Sequence, residues 1–314
     1  MVCQRRVCLL HKVRFVQVDV FSDSPFGGNP VVVVPQAEGI SEEQMQTIAQ
    51  GLFAETAFVL PPTDPRADVR VQFFTPTTRV PFSGHPTLGT AYVLADEGEV
   101  ELEEPVTRIH EELEIGVLPI DLHVERGEIT KVVMTGKSPS FHAALEEISE
   151  LAEALTLDEE EITATGLPPQ VVSTGLPALM VPVRSLAAVQ GIRCDVPLDT
   201  PRLNALCERV GAQAVMVFTF ETLERSSTVH VRLFAPLLGV EEDPATGSAS
   251  GALGAYLVQH RAIPTQPITR LCTEQGYEIG RPCTVHVEVD TRGEGLEIRV
   301  GGQVVKSVEG YIYY

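Results

Sequence analysis

An α+β fold built from two copies of one module, each with mostly antiparallel strands wrapped about one helix, is what the 314-residue sequence predicts. Three observations carry it. Segments that alternate apolar and polar residues outnumber those with helical spacing, which excludes a doubly wound βαβ sheet. A shift of 160 positions carries Val69, Val71, Phe74, Pro76 and Val80 onto Val229, Val231, Phe234, Pro236 and Val240, Gly51 onto Gly211 and Phe58 onto Phe218. Finally, residues 249–255 (ASGALGA) follow the repeat as a run of small residues. Glycine costs a helix interior roughly 1 kcal/mol against alanine, so a helix there makes sense only where other backbone packs closely around it.

Taken in order, residues 13–21 alternate as a half-buried strand, a turn at 24–29 follows, and 31–34 (VVVV) reads as a buried strand. Ser41 with Glu42, Glu43 and Gln44 opens a helix in the manner of a capping box, which Gly51 is placed to close. Strands are expected at 55–60 and 69–74, then a loop and helix over 84–94. Residues 99–133 alternate between turns, with strands at 114–117, 120–124 and 129–134. Short acidic helices are expected at 149–155 and 158–162, the second module over 168–256, a hairpin at 283–289 and 296–300, and a last strand at 304–313. No low-complexity linker separates the halves. The boundaries read as 13–124 for the first module and 125–303 for the second, with 1–12 a disordered extension.

A net charge of −20 excludes nucleic acid as a partner, because its backbone must be met by Lys and Arg, and it disfavours anionic membrane surfaces. No apolar run approaches the roughly 20 residues of a membrane helix. The first twelve residues lack an apolar core and cleavage site, so no export is expected. The six cysteines form no CxxC pair and no metal spacing with histidine, as for reduced thiols in a cytoplasmic protein.

Candidate chemistry gathers on two loops and one strand. Gly84 and His85 in one copy, and Gly247 and Ser248 in the other, stand at helix starts, where free N–H groups and the positive helix end favour an anion. Two such loops facing one another would hold a small carboxylate, against the plainer reading that Thr87 and Ser248 cap their helices. Glu55 lies among apolar neighbours; such burial raises a carboxyl's pKa and suits it to moving protons near neutral pH. The repeat places Val215 opposite it, which fits a single acid/base group in a two-module site. His85 and Asp243, on the two matching loops, are candidates to position substrate or pass a proton.

The strings Asp19-Val20-Phe21, Gly28-Asn29-Pro30, Glu55-Thr56-Ala57-Phe58-Val59, Phe74-Thr75-Pro76, Gly84-His85-Pro86-Thr87, Glu242 to Ala249, Gln275-Gly276 and Gly280-Arg281-Pro282 resemble, in order, the PhzF-like family of phenazine biosynthesis, within the diaminopimelate-epimerase-like superfamily. The resemblance implies two pseudo-symmetric, barrel-like sheets, each around a central helix, with the site in the cleft between them. It implies that the last strand, 304–314, returns to the first module. It further implies catalytic roles for Glu55, His85 and Asp243, substrate binding at Gly84, Gly247 and Ser248, no cofactor or metal, and a homodimer. Epimerases of this superfamily use one cysteine on each loop as paired bases. Here the loops read Ser83-Gly84-His85 and Thr246-Gly247-Ser248, and Cys207 and Cys272 lie outside them, so two-thiol chemistry is disfavoured. The expected activity is a cofactor-independent isomerase of a small carboxylate acting by proton shuttling. Its alternatives are a non-enzymatic binding protein on this fold and an epimerase with a non-cysteine base pair.

Overall fold

The computed structural model describes residues 11–192 and 199–314. The first ten residues of the expected extension lie outside the described residues. His11 and Lys12, also assigned to that extension, are ordered instead: strand β1 (Lys12–Val20) begins one residue early, and His11 exchanges backbone hydrogen bonds with Tyr314.

The chain continues through β2 (Asn29–Val34), α1 (Glu42–Leu52), β3 (Thr56–Leu60), β4 (Val69–Phe74), β5 (Arg79–Val80), α2 (Gly84–Asp96), β6 (Val106–Leu113), β7 (Gly116–Glu125), β8 (Glu128–Thr135) and β9 (Ser140–Ala144). Next come α3 (Ser149–Ala154), α4 (Glu159–Thr163), β10 (Gln170–Ser173), β11 (Pro177–Pro182), α5 (Leu186–Gly191), α6 (Thr200–Val210), β12 (Ala214–Thr219) and β13 (Val229–Ala235). A short 3-10 turn (Pro236–Leu238) precedes β14 (Val240–Asp243), α7 (Gly247–Gln259), β15 (Ile268–Gln275), β16 (Cys283–Asp290), β17 (Glu297–Gly302) and β18 (Val304–Tyr313). The region read as three strands over 114–134 folds as two, β7 and β8, with β6 before them. Its turn falls at 113–116, where Leu113 pairs with Gly116.

The duplication is visible in the ladders. In the first copy β1–β2, β3–β4, β6–β7 and β7–β8 are antiparallel, while β2–β3 and β4–β6 are parallel. The second copy repeats this with β10–β11, β12–β13, β15–β16 and β16–β17 antiparallel, and β11–β12 and β13–β15 parallel. The two copies join where β8 lies antiparallel to β17. Each copy's chain then leaves for the other: β9, which follows β8, pairs with β10, and β18, which follows β17, pairs with β1 along its whole length.

Helices α2 and α7 fill the two sheets, and the glycines explain how. A Cβ at Gly89 would stand 2.5 Å from Val31 Cγ1 and 3.0 Å from Val18 Cγ2. At Gly251 it would stand 2.9 Å from Val300 Cγ2, and at Gly254 2.8 Å from Val287 Cγ1. The helix is thus held as near the strands as a chain without side chains allows, and Ala249 to Leu257 are all buried. Outside the sheets, α1 covers Val34, Phe58 and Phe74, and α3 to α6 cover a cluster with β11 and β12.

Helix α1 starts as expected, with Ser41 and Gln44 bonding reciprocally, but Gly51 does not end it. It runs to Leu52, and Phe53 closes it in the left-handed conformation, φ 53°, with 85% of its surface exposed. In the second copy the glycine does close the helix, Gly211 at φ 74°. A left-handed aromatic residue is disfavoured backbone, and this one stands two residues before Glu55.

The repeat also shares a device that ties a loop to a sheet edge. Glu112 accepts from the N–H groups of Thr63 and Asp64, and Glu274 accepts from those of Leu223 and Glu224. The Thr63 hydroxyl and the N–H groups of Asp64 and Thr63 hold the Glu112 carboxyl below its ordinary range, with a smaller pull from Arg70; where the repeat places Arg70, His230 sits buried between Glu274 (2.8 Å) and Glu278 (2.9 Å). One residue earlier than Glu112, on the inward face of β6, Glu111 is wholly buried, and its two oxygens meet no donor among the described residues. Burial pushes its carboxyl well above the ordinary range, so it stays protonated while an unfolded chain would ionise it. Wild-type stability therefore falls as pH rises above the unfolded carboxyl value. Glu111→Met is expected to raise stability by about 1–3 kcal/mol at pH 7, with a smaller gain near pH 4. Urea unfolding at the two pH values checks this, and equal gains would show that the carboxyl's ionisation is not the cost.

Candidate active site

Glu55 stands immediately before β3, and its carbonyl accepts from the Val32 N–H of β2 at 2.9 Å, which fixes its backbone. Its half-buried side chain directs Oε2 at the Ser83 hydroxyl, 2.7 Å away. Oε1 has no hydrogen-bond partner among the described residues. Ser83 is the residue before α2, yet its side chain does not cap that helix. Thr87, weighed as a cap, bonds back to the Ser83 carbonyl at 2.8 Å instead.

The second loop is arranged the same way. Asp243 ends β14; its Oδ2 accepts from the Thr246 hydroxyl, and Oδ1 accepts from Asn29 Nδ2 at 3.0 Å. Thr246 precedes α7 and likewise leaves its helix uncapped. Gln275 braces the loop: its Nε2 donates to the Asp243 carbonyl at 2.7 Å and to Thr246 Oγ1 at 3.3 Å, while its Oε1 accepts from Thr246 N–H at 3.2 Å. The first N–H groups of both helices, at Gly84, His85, Gly247 and Ser248, are therefore not taken up by a cap side chain. Ser248 does not act as a cap; its carbonyl accepts from Thr174 Oγ1 at 2.8 Å.

A single dipeptide joins the loops. Asn29 Nδ2 also donates to the Ala245 carbonyl at 2.8 Å, and the adjacent Pro30 carbonyl accepts from His85 Nε2 at 3.3 Å. Because a carbonyl can only accept, Nε2 carries the proton and Nδ1 is the nitrogen left for exchange. His85 and Glu55 both lie close enough to Asp243 to act on it electrostatically. Burial pushes the Asp243 carboxyl from 3.8 up to about 6; Thr246 and His85 pull it down, the Glu55 charge pushes it up, and Asn29 pulls it down.

Arg281 holds the turn before Asn29. It binds buried Asp19 at 2.9 Å and the carbonyls of Gly28 at 2.9 Å and Gly27 at 3.0 Å. Cys207 and Cys272 stay outside the two loops, but folding brings Cys283 against one of them. Its Sγ donates to the Pro244 carbonyl at 2.9 Å, and burial pushes the thiol far above its ordinary value, so it remains neutral. The roles of Asn29 and Gln275 were not derivable from local pattern. Both stand in strings that carry the family resemblance, which was the only signal available.

Residues 18–310 match the family described as phenazine biosynthesis-like protein. The chain belongs to this family. It is 32% identical to an uncharacterized isomerase of Clostridium acetobutylicum, over 95% of this chain and 97% of that one. It is 33% identical to the trans-2,3-dihydro-3-hydroxyanthranilate isomerase of Pseudomonas aeruginosa, over 96% and 99%. The crystal structure of a PhzF-family protein from Bacillus anthracis superposes with a TM-score of 0.86 at 31% identity, covering 96% of this chain and 99% of that one. Like these relatives, the chain is an isomerase. Among the described residues no helix is long and apolar enough to cross a membrane, and no three His, Cys, Asp or Glu side chains converge as metal ligands would.

The raised Asp243 carboxyl has a stability consequence. Its folded value of about 6 exceeds the unfolded value of 3.8, so it disfavours the folded state increasingly as pH rises between the two. Asp243→Asn retains a group able to bond both Asn29 and Thr246. It is expected to be more stable than wild type above pH 6, by at most about 3 kcal/mol, and equal to it at pH 3.5. Urea unfolding across that range would show a constant difference if the carboxyl's ionisation carries no cost.

Proposed function

We propose that the chain is a cofactor-independent isomerase of a small carboxylate, acting by acid/base proton shuttling. Glu55 takes a proton from a carbon next to a double bond or carboxyl group, and the same carboxyl returns it at another position of the conjugated system. The observation that carries this reading is the convergence of Glu55, His85 and Asp243 beside two helix starts whose cap residues turn to the carboxyls instead. N–H donors at Gly84, Gly247 and Ser248 are suited to bind the substrate carboxylate. His85 and Asp243 orient the substrate or relay the proton.

Glu55→Gln keeps the shape and removes the base. In D2O with pooled small carboxylic acids, including the compound named for the Pseudomonas relative, wild type is expected to produce a mass gain. The variant should lose it by about 100-fold or more. Undiminished exchange by the variant would sink the assignment.

The nearness of two carboxyls, Glu55 and Asp243, favours one other reading, an epimerase with carboxyl bases on opposite sides of a carbon. Loss of optical rotation without a positional product would select it. We further infer a cytoplasmic homodimer. Cys207, Cys272 and Cys283 are free thiols, and among the described residues β18 is paired only with β1, leaving Val308, Tyr311 and Tyr313 exposed along the strand. Sedimentation velocity is expected to give about twice the chain mass; a monomer at micromolar concentration would refute the dimer.

A further inference from the structure

Two hydroxyls in equivalent places are put to the same unusual use. Ser83 and Thr246 precede α2 and α7, and both have extended backbone dihedrals suited to capping. Serine and threonine there ordinarily accept from an N–H of the first turn. Neither does so. Ser83 Oγ donates to Glu55 Oε2 at 2.7 Å, and Thr246 Oγ1 donates to Asp243 Oδ2.

Each hydroxyl is itself held from behind. The Ser83 carbonyl accepts from both the N–H and the hydroxyl of buried Thr87, at 3.2 and 2.8 Å. Thr246 is gripped at its N–H and its Oγ1 by the fully buried amide of Gln275. The two carboxyls themselves do not follow from the repeat, since Val215 is opposite Glu55. Only the donors are equivalent.

We propose that Ser83 and Thr246 are positioning residues, each orienting one carboxyl of the site by donating a hydroxyl hydrogen bond. With Ser83 engaged on Oε2, Glu55 is left with Oε1 unbonded among the described residues. With Thr246 and Asn29 on its two oxygens, Asp243 is fixed in plane and its rise with burial is limited. The proposal rests on the reading of Glu55 as base for its catalytic meaning, but the bonds can be tested without substrate.

The test is an NMR titration of the carboxyl carbons in the full chain, labelled at Glu and Asp, with Glu55→Gln and Asp243→Asn assigning the two signals. Losing a donor to a carboxylate favours the protonated form. Thr246→Val is therefore expected to move the Asp243 signal's titration to higher pH by about one unit, and Ser83→Ala to shift the Glu55 carboxyl resonance at pH 7. Ser83→Thr and Thr246→Ser should restore the wild-type signals. Thermal unfolding of the Ala and Val variants should stay near wild type, since no helix cap is lost.

An unmoved Asp243 titration or an unmoved Glu55 resonance would overturn the proposal, as would a loss of thermal stability with both unchanged, the mark of plain capping. The base reading fails separately. Deuterium exchange that persists in Glu55→Gln would remove the catalytic meaning even where the signals move as expected.

Discussion

The site depends on an ion pair that lies behind it. Asp19, with no exposed surface, accepts from the Phe26 N–H at 2.7 Å and from Arg281 at 2.9 Å. A buried carboxylate and a guanidinium are costly to remove from water unless their remaining polar atoms are also met. Here the guanidinium meets the carbonyls of Gly27 and Gly28 as well. Arg281 comes from the second half and everything it grips comes from the first. The turn is thereby set so that Asn29 emerges toward Asp243 and Pro30 toward His85. Gly28 shows how tight the turn is: at φ 51°, a Cβ there would stand 2.2 Å from the Val20 carbonyl.

Much of the fold was legible because its signals are local. Period-two alternation places β1, β4, β16 and β18 within a residue or two of their observed bounds, and the Ser41 capping box is formed as read. The glycines of α7 announced close packing because a surface helix has no use for them. Pairings across the chain were not legible. Nothing in the alternation of β8 says that it lies beside β17, since a strand's period fixes its faces and not its neighbours. The end of α1 was misread for a related reason: the repeat places Gly51 opposite a true helix end, but the helix runs on to Leu52 and Phe53 closes it left-handed.

The site was legible by residue and not by arrangement. Glu55, His85 and Asp243 could be singled out as candidates, and the structure sets Glu55 and His85 within electrostatic reach of Asp243. That Ser83 and Thr246 would turn away from their helices could not be read, because the same residues in the same places ordinarily cap them. The two halves have kept the hydroxyls and diverged in the acids. The symmetry of the repeat is thus retained in the two hydroxyls while the carboxyls they bond differ.

The reciprocal placement of β9 and β18 bears on how the protein is made. β1 leaves the ribosome long before the second copy, and β2 can cover one of its edges at once. Its other edge is reserved for β18, the last strand in the chain, some 290 residues away. That edge stays open throughout synthesis, and non-local strand pairing of this kind is slow and exposed to aggregation. The half that is translated first is the half that is finished last.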